Sequence, residues 1–440
     1  MVASTPPERH PPRPERPGVD GLGDAGRDRC GRNSRRAKNL AHPAPDGGAA
    51  PRYRADDERP GRIRPDQPDR IRRRDRRVPE RDQGDRLVTD ERSRHPDSLE
   101  RDAAIRELTK NYSELPDGRR RSLIEEMVAT SLRLGRDDSH TGELKLINSA
   151  LKELRYSYQV FRPWVLRPKI SIFGSARTPE DHPDYVAARE FGRLMGEADW
   201  MSITGAGDGI MKAGHEGPGH EASFGLRIRL PFETTANEVI AEDPKLVNFR
   251  YFFTRKVMFL INSDAIAALP GGFGTMDEVF ESLTLIQTGK SYPMPIVLLE
   301  GENGSYWTRW VAFLREELLE NGWLSPADMS LLEIATSPED ARDRVLKFYR
   351  VYHSCRYVRD DFVIRLRRKL TEDERAGLED RFGMLAKDGH LKTSGPLQGE
   401  EEHLDLPRLH FKSKRRDFGV LRQLIDAIND LDDPPGIADS

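Results

Sequence analysis

Five short apolar runs in the middle of the chain constrain the fold more than any other feature. They are "KISIFGSA" (Lys169 to Ala176), "WMSITGAG" (Trp200 to Gly207), "FGLRIRLP" (Phe224 to Pro231), "DAIAALPGG" (Asp264 to Gly272) and "MPIVLLEG" (Met294 to Gly301). Between them lie segments with helical spacing, such as "DYVAAREFGRLMGEA" (Asp184 to Ala198) and "FRYFFTRKVMFLINS" (Phe249 to Ser263). Strands without polar alternation bury both faces, and the helices between them supply the cover. The pattern predicts an α/β fold with a doubly wound, Rossmann-like parallel sheet. Ligands in such sheets bind beyond the carboxyl ends of the strands, where the glycine-ended runs place their loops.

The flanks differ. Residues 1–100 hold 23 Arg, one Lys (Lys38), 14 Pro and one aromatic residue (Tyr53), with no apolar periodicity. They cannot bury enough surface to offset the entropy of ordering and are expected to form a disordered arm. Its 19 acids leave a net charge of only +5 (23 + 1 − 19), which is a weak signal for nucleic-acid binding. Arg in place of Lys also fits GC-rich upstream DNA read from a misplaced start, with Val88 as a candidate true start. Residues 101–165 are expected to be helical. Leu144, Ile147, Leu151, Leu154, Tyr158 and Phe161 recur at steps of three and four and draw one apolar stripe, for packing on the core or on a second subunit. Residues 166–350 hold the sheet. Residues 351–440 read as a small α+β module of strand, helix, two strands and helix.

Composition excludes some functions. The net charge of −3 over 440 residues gives no reason to expect nucleic acid as a partner. Two cysteines, Cys30 and Cys355, cannot build a disulfide framework or a Cys-based metal site and suit a reducing compartment. No apolar run reaches the roughly 18 residues of a membrane span, so no membrane partner and a cytoplasmic location are expected.

Three loops carry the chemistry. "FGSA" supplies Gly174 and Ser175, "TGAGDGIM" supplies Gly205, Gly207 and Gly209, and "PGGFGT" supplies Gly271, Gly272, Gly274 and Thr275. Glycine lets backbone approach an anion, and each following helix points free N–H groups and its positive dipole end at the same spot, so a phosphate is the expected guest. The dinucleotide fingerprint fails, with Ile210 at its third glycine position, and there is no P-loop Gly-Lys-Ser/Thr.

Acids follow the third loop. Asp277 suits a helix N-terminus, whereas Glu278 and Glu281, three residues apart, can both turn to the uncharged end of a ligand. A carboxylate beside a sugar stabilises an oxocarbenium-like centre or activates water. Arg255, in "TRK" (Thr254 to Lys256), stands among Tyr251, Phe252, Phe253, Met258 and Phe259 and needs a charged partner. His182, His215 and His220 lack ligand spacing and are assigned to surface or packing, so no metal is expected.

At these residues the chain resembles the Lonely Guy (LOG) family. "PGGFGTMDE" matches its PGGxGTxxE signature, "TRK" its Arg-Lys motif, and "GAGDGIM" and "FGSA" its other two loops, over about residues 166–335. The resemblance implies a cytokinin riboside 5'-monophosphate phosphoribohydrolase or a broader nucleotide nucleosidase. Such an enzyme splits a purine nucleoside 5'-monophosphate into base and ribose 5-phosphate, without a cofactor and as a homodimer or larger homo-oligomer. It implies that Arg255 and Glu278 are catalytic and that Gly271, Gly272, Gly274 and Thr275 hold the phosphate. Lys256, Glu281 and Thr284 would line the site. "LIQTG" (Leu285 to Gly289) replaces the "WAQLG" of short members and changes the pocket wall, which leaves the released base open. The label lysine decarboxylase, also attached to the family, has no pyridoxal phosphate motif behind it here. The alternative class is a carrier that holds a nucleotide or cofactor without cleaving it; the presence of both Arg255 and Glu278 favours the enzyme.

Overall fold

The computed structural model describes residues 96–112, 118–231 and 235–431. Most of the expected arm, residues 1–95, lies outside the described residues.

Three helices come first: α1 (Pro96–Tyr112), α2 (Arg119–Leu134) and α3 (Thr141–Phe161). Helix α1 begins inside the stretch expected to be arm. The apolar stripe of α3 is present, but the core covers only one edge of it. Phe161 is buried against Phe224 and Leu154 packs on the same cluster, while Leu144, Ile147, Leu151 and Tyr158 stay 40–52% exposed.

The α/β unit follows in the order β1 (Lys169–Phe173), α4 (Pro183–Glu197), β2 (Met201–Thr204), α5 (Ile210–Glu216), β3 (Ser223–Ile228), β4 (Leu246–Phe249), α6 (Phe252–Ile261) and β5 (Ala265–Ala268). It is completed by α7 (Phe273–Gln287), β6 (Ile296–Leu298), α8 (Tyr306–Phe313), β7 (Glu333–Ile334) and α9 (Pro338–Phe348). The seven strands pair in parallel in the order β4-β3-β2-β1-β5-β6-β7. This is the doubly wound Rossmann-like sheet. All five residues of β1 are buried, and alternate side chains feed two cores. Ile170 and Ile172 join Tyr185 and Phe191 of α4 on one face, whereas Phe173 joins Phe259 of α6 and Val279 of α7 on the other. Burial of both faces explains why these strands read as unbroken apolar runs.

Two expectations need correction. The segment Phe249 to Ser263 is not one helix: Phe249 ends strand β4, paired with Ile228, and the helix begins at Phe252. In the C-terminal module, "YVRDDFVIRL" is a hairpin rather than one strand. Strands β8 (Tyr352–Val358) and β9 (Asp361–Leu366) pair antiparallel, and the turn places Arg359 at φ 56. Then come α10 (Glu372–Phe382), β10 (Lys392–Ser394), β11 (Arg408–Lys412) and α11 (Phe418–Asp430), giving a four-stranded sheet ordered β10-β11-β9-β8. Helix α11 lays Leu421, Leu424, Ile425 and Ile428 into the module's own core, and Gly419 fits so closely on Ala327 that a Cβ would lie 2.5 Å from its backbone. Among the described residues, no helix is long and apolar enough to cross a membrane.

Candidate active site

The chain reverses its winding between β1 and β5, neighbours in the sheet although far apart in sequence. At such a switch point the loops leaving two adjacent strands turn to opposite faces and open a crevice. Here those loops carry Gly174–Ser175 and Gly271–Thr275, and the β2 loop with Gly205 closes the third side. Backbone bonds tie the three together: Ser175 N–H donates to the Pro270 carbonyl (3.2 Å) and Ile210 N–H to the Ser175 carbonyl (3.0 Å).

The resulting cavity has a volume of about 730 Å³, within the usual range for small-molecule sites. Nine of the residues singled out from the sequence line it: Gly174, Ser175, Gly205, Arg255, Gly271, Gly272, Gly274, Thr275 and Glu278. The glycines do different jobs. A Cβ on Gly209 (φ 59) would lie 2.4 Å from the Ser175 carbonyl, and one on Gly174 2.5 Å from Ile210, so both let loops pack on one another. A Cβ on Gly272 or Gly274 would meet nothing within 4 Å, so these two leave space open at the start of α7. There the free N–H groups and dipole of the helix favour an anion.

Helix α7 carries Glu278 one turn further in, 6% exposed. Helix α6 carries Arg255, whose Nη2 lies 3.6 Å from Glu278 Oε1 and whose guanidinium sits 5.0 Å from the Phe252 ring. Glu278 stands within ion-pair reach as the partner expected for Arg255 among these aromatic rings. Burial pushes the Glu278 carboxyl up to about 7, outweighing the pull of Arg255 and Lys256 and aided by Glu281 and Asp277. A carboxyl poised near neutrality can hold or release a proton at working pH.

The other five residues lie outside the cavity lining. Lys256 Nζ binds Asp277 (3.0 Å) and Glu281 (2.5 Å) across the α6–α7 seam, and Thr284 is exposed one turn beyond Glu281. Successive helical residues turn by about 100°, so residues three apart differ by about 60°. That rotation takes Glu281 out of the cavity that Glu278 faces. Gly207 and Gly209 belong to the second loop but do not line the cavity.

Sequence reasoning missed Arg177 and Tyr306, which also line the cavity. Arg177 sits two residues after Ser175, where a cation following a Gly-Ser turn was a readable signal. Tyr306 comes from α8 and donates from its hydroxyl to the Gly271 carbonyl at 2.7 Å, a contact that no local pattern announces. His215 is fully buried and His182 caps α4 by accepting from the Asp184 N–H.

Residues 205–345 match the family model described as "Possible lysine decarboxylase". Among curated proteins, the chain is similar to the cytokinin riboside 5'-monophosphate phosphoribohydrolase LOG3 of Arabidopsis thaliana, 30% identical over 31% of this chain and 59% of that protein. It is also similar to the probable enzyme LOGL3 of Oryza sativa subsp. japonica, 32% identical over 22% of this chain and 44% of the relative. The chain thus spans about half the length of these relatives. A solved molybdenum cofactor binding protein from Rippkaea orientalis aligns at 21% identity over 41% of this chain and 96% of that one, with a TM-score of 0.30, too remote to speak to ligand or activity. Among the described residues no lysine lines the cavity, and pyridoxal phosphate is held as a Schiff base on lysine. The site therefore gives decarboxylation no support, whereas its motifs, the matched family model and the curated relatives all carry the likeness to the Lonely Guy family.

Proposed function

We propose, from that likeness and from the site, that this chain hydrolyses the N-glycosidic bond of a purine nucleoside 5'-monophosphate to free base and ribose 5-phosphate. The observation that carries the proposal is Glu278. It is a buried carboxyl near neutrality, ion-paired to Arg255, one helical turn beyond an open glycine cradle.

The 5'-phosphate lies on the Gly271–Thr275 backbone, with Arg177 at the cavity mouth to meet its charge and Tyr306 holding the Gly271 carbonyl. The ribose then reaches Glu278. As the bond from C1' to the base nitrogen breaks, the base leaves with the electron pair and finally takes the proton that Glu278 collects from the attacking water. Positive charge grows on C1' and the ring oxygen, and the Glu278 carboxylate stabilises it. Water adds to C1' and passes a proton to Glu278. Arg255 orients the nucleotide and assists departure of the base. The apolar wall of Met211, Ile228, Leu230 and Phe252 offers the base contact without edge-reading hydrogen bonds, so AMP and a cytokinin riboside 5'-monophosphate are both candidate substrates.

The carboxylate must be ionised to do this, so kcat/KM should rise about tenfold per pH unit below about 7 and level off above it. Glu278→Gln should lose that inflection. A profile of the wild type that is flat from pH 5.5 to 8 would remove Glu278 from this role.

A homodimer or larger homo-oligomer belongs to the same proposal. The uncovered stripe of α3 gives a second copy an apolar face to cover. Light scattering should return at least twice the 50.1 kDa chain mass, and Leu151→Glu should lower it. A monomeric wild type would contradict this.

A further inference from the structure

Behind the β2 loop, three side chains form a polar network sealed from solvent: Thr204 (0% exposed), His215 (0%) and Asn237 (4%). His215 Nε2 lies 3.0 Å from both the Phe224 carbonyl and Thr204 Oγ1. A carbonyl can only accept, so Nε2 carries the hydrogen. Burial, the largest influence, lowers the pKa of His215 and keeps the ring neutral, which leaves Nδ1 an acceptor.

The orientation of Asn237 follows. Its Nδ2 stands 2.9 Å from the Gly207 carbonyl and 3.2 Å from His215 Nδ1, one hydrogen for each acceptor. The Asn237 oxygen is 3.3 Å from the same Nδ1, but there two acceptors would face each other. Asn237 N–H also donates to the Ala206 carbonyl (2.9 Å), and Thr204 Oγ1 accepts from Ala206 N–H (3.1 Å). Three backbone groups of the loop are therefore pinned.

The pinned loop is strained. Ala206 has φ 61, a left-handed conformation unfavourable for a residue with a Cβ. Such a conformation persists only where its surroundings over-determine it. A buried polar network is costly unless every member is satisfied, and apolar packing would fill the space more simply. What the strain secures is the place of Gly205. It lines the cavity beside Arg255: a Cβ there would press to 2.6 Å on Met211 Sδ and come within ordinary contact, 3.8 Å, of Arg255 Nη1.

We propose that Asn237, oriented by His215, is a positioning residue that holds the Gly205–Gly209 loop against Arg255 and the bound nucleotide. This rests on the function proposed above, so AMP binding and base release are measured separately. Asn237→Asp keeps the shape but turns an oxygen on the Gly207 carbonyl. It should lower kcat at least tenfold and raise the AMP Kd about fivefold. Thr204→Val, which removes the anchor of Ala206 N–H at constant shape, should shift both the same way and decides the matter if Asn237→Asp does not fold. In an Arg255→Ala background the kcat effect should vanish, whereas a general loss of folded protein would persist.

If folded Asn237→Asp or Thr204→Val keeps kcat and Kd within twofold of wild type, the positioning role is overturned. If the wild type binds AMP but releases base from neither AMP nor a cytokinin riboside 5'-monophosphate, the hydrolase reading fails on that result, and the Kd shift alone decides the role of Asn237.

Discussion

Glu278→Gln is expected to bind nucleotide as the wild type does and to release base on the order of a thousandfold more slowly, a loss of about 4 kcal/mol of transition-state stabilisation. The substitution preserves shape and removes the one charge placed to meet the growing cation at C1'. Misfolding would not explain the loss. Glu278 sits with its carboxyl raised from 4.5 to about 7, so the unfolded chain ionises it more readily than the folded one. Stability is therefore lost as pH rises from 4.5 through about 7, and the loss is complete above that. The penalty is about 3 kcal/mol at pH 8 for this buried group. Gln is exempt, although it leaves Arg255 facing a neutral partner, so the melting temperature at pH 8 should not fall. Single-turnover base release, AMP affinity and a melting curve on one preparation check this. Near-normal turnover would remove Glu278 from the chemistry.

The second large effect concerns the phosphate. If the backbone at the start of α7 holds a 5'-phosphate, that binding energy also orients C1' against Glu278, so losing it lowers turnover as well as affinity. Adenosine should then be cleaved at least about a hundredfold less efficiently than AMP, which corresponds to about 3 kcal/mol. Gly272→Val should erase most of the difference. A Cβ at Gly272 meets no protein atom within 4 Å, so the valine enters the open space meant for the anion without disturbing the fold. Gly271 would be a poor choice for the same test, because a Cβ there lies 2.2 Å from Thr275 Oγ1 and displaces the loop itself. Equal efficiency on adenosine and AMP, in the wild type, would mean the glycine loops are not a phosphate cradle.

The central sheet was legible because its strands are buried on both faces and so are written as unbroken apolar runs. Strand β4 escaped for the opposite reason: at the sheet edge, its Leu246 and Asn248 are only half-buried, and "LVNF" runs into the aromatic start of α6. Strand β7, two residues long, is too short to carry a pattern. The β8–β9 hairpin was hidden because its turn residue, Arg359, takes a positive φ that its side chain does not advertise.

Within the site, glycines and an arginine among aromatics are locally odd, and oddness can be read from one sequence. Tyr306, Asn237 and Thr204 make their contacts across the fold, so nothing near them in the chain marks them. Lys256 and Glu281 were placed in the site by the resemblance, but about 100° of helix rotation from Arg255 and about 60° from Glu278 turn their side chains from the cavity to the α6–α7 seam.

The most direct measurement is to incubate the full chain with AMP and follow adenine and ribose 5-phosphate together. The account predicts equimolar release of both over many turnovers, abolished by Glu278→Gln. AMP and a cytokinin riboside 5'-monophosphate both recovered intact after demonstrable binding would contradict it and favour a carrier.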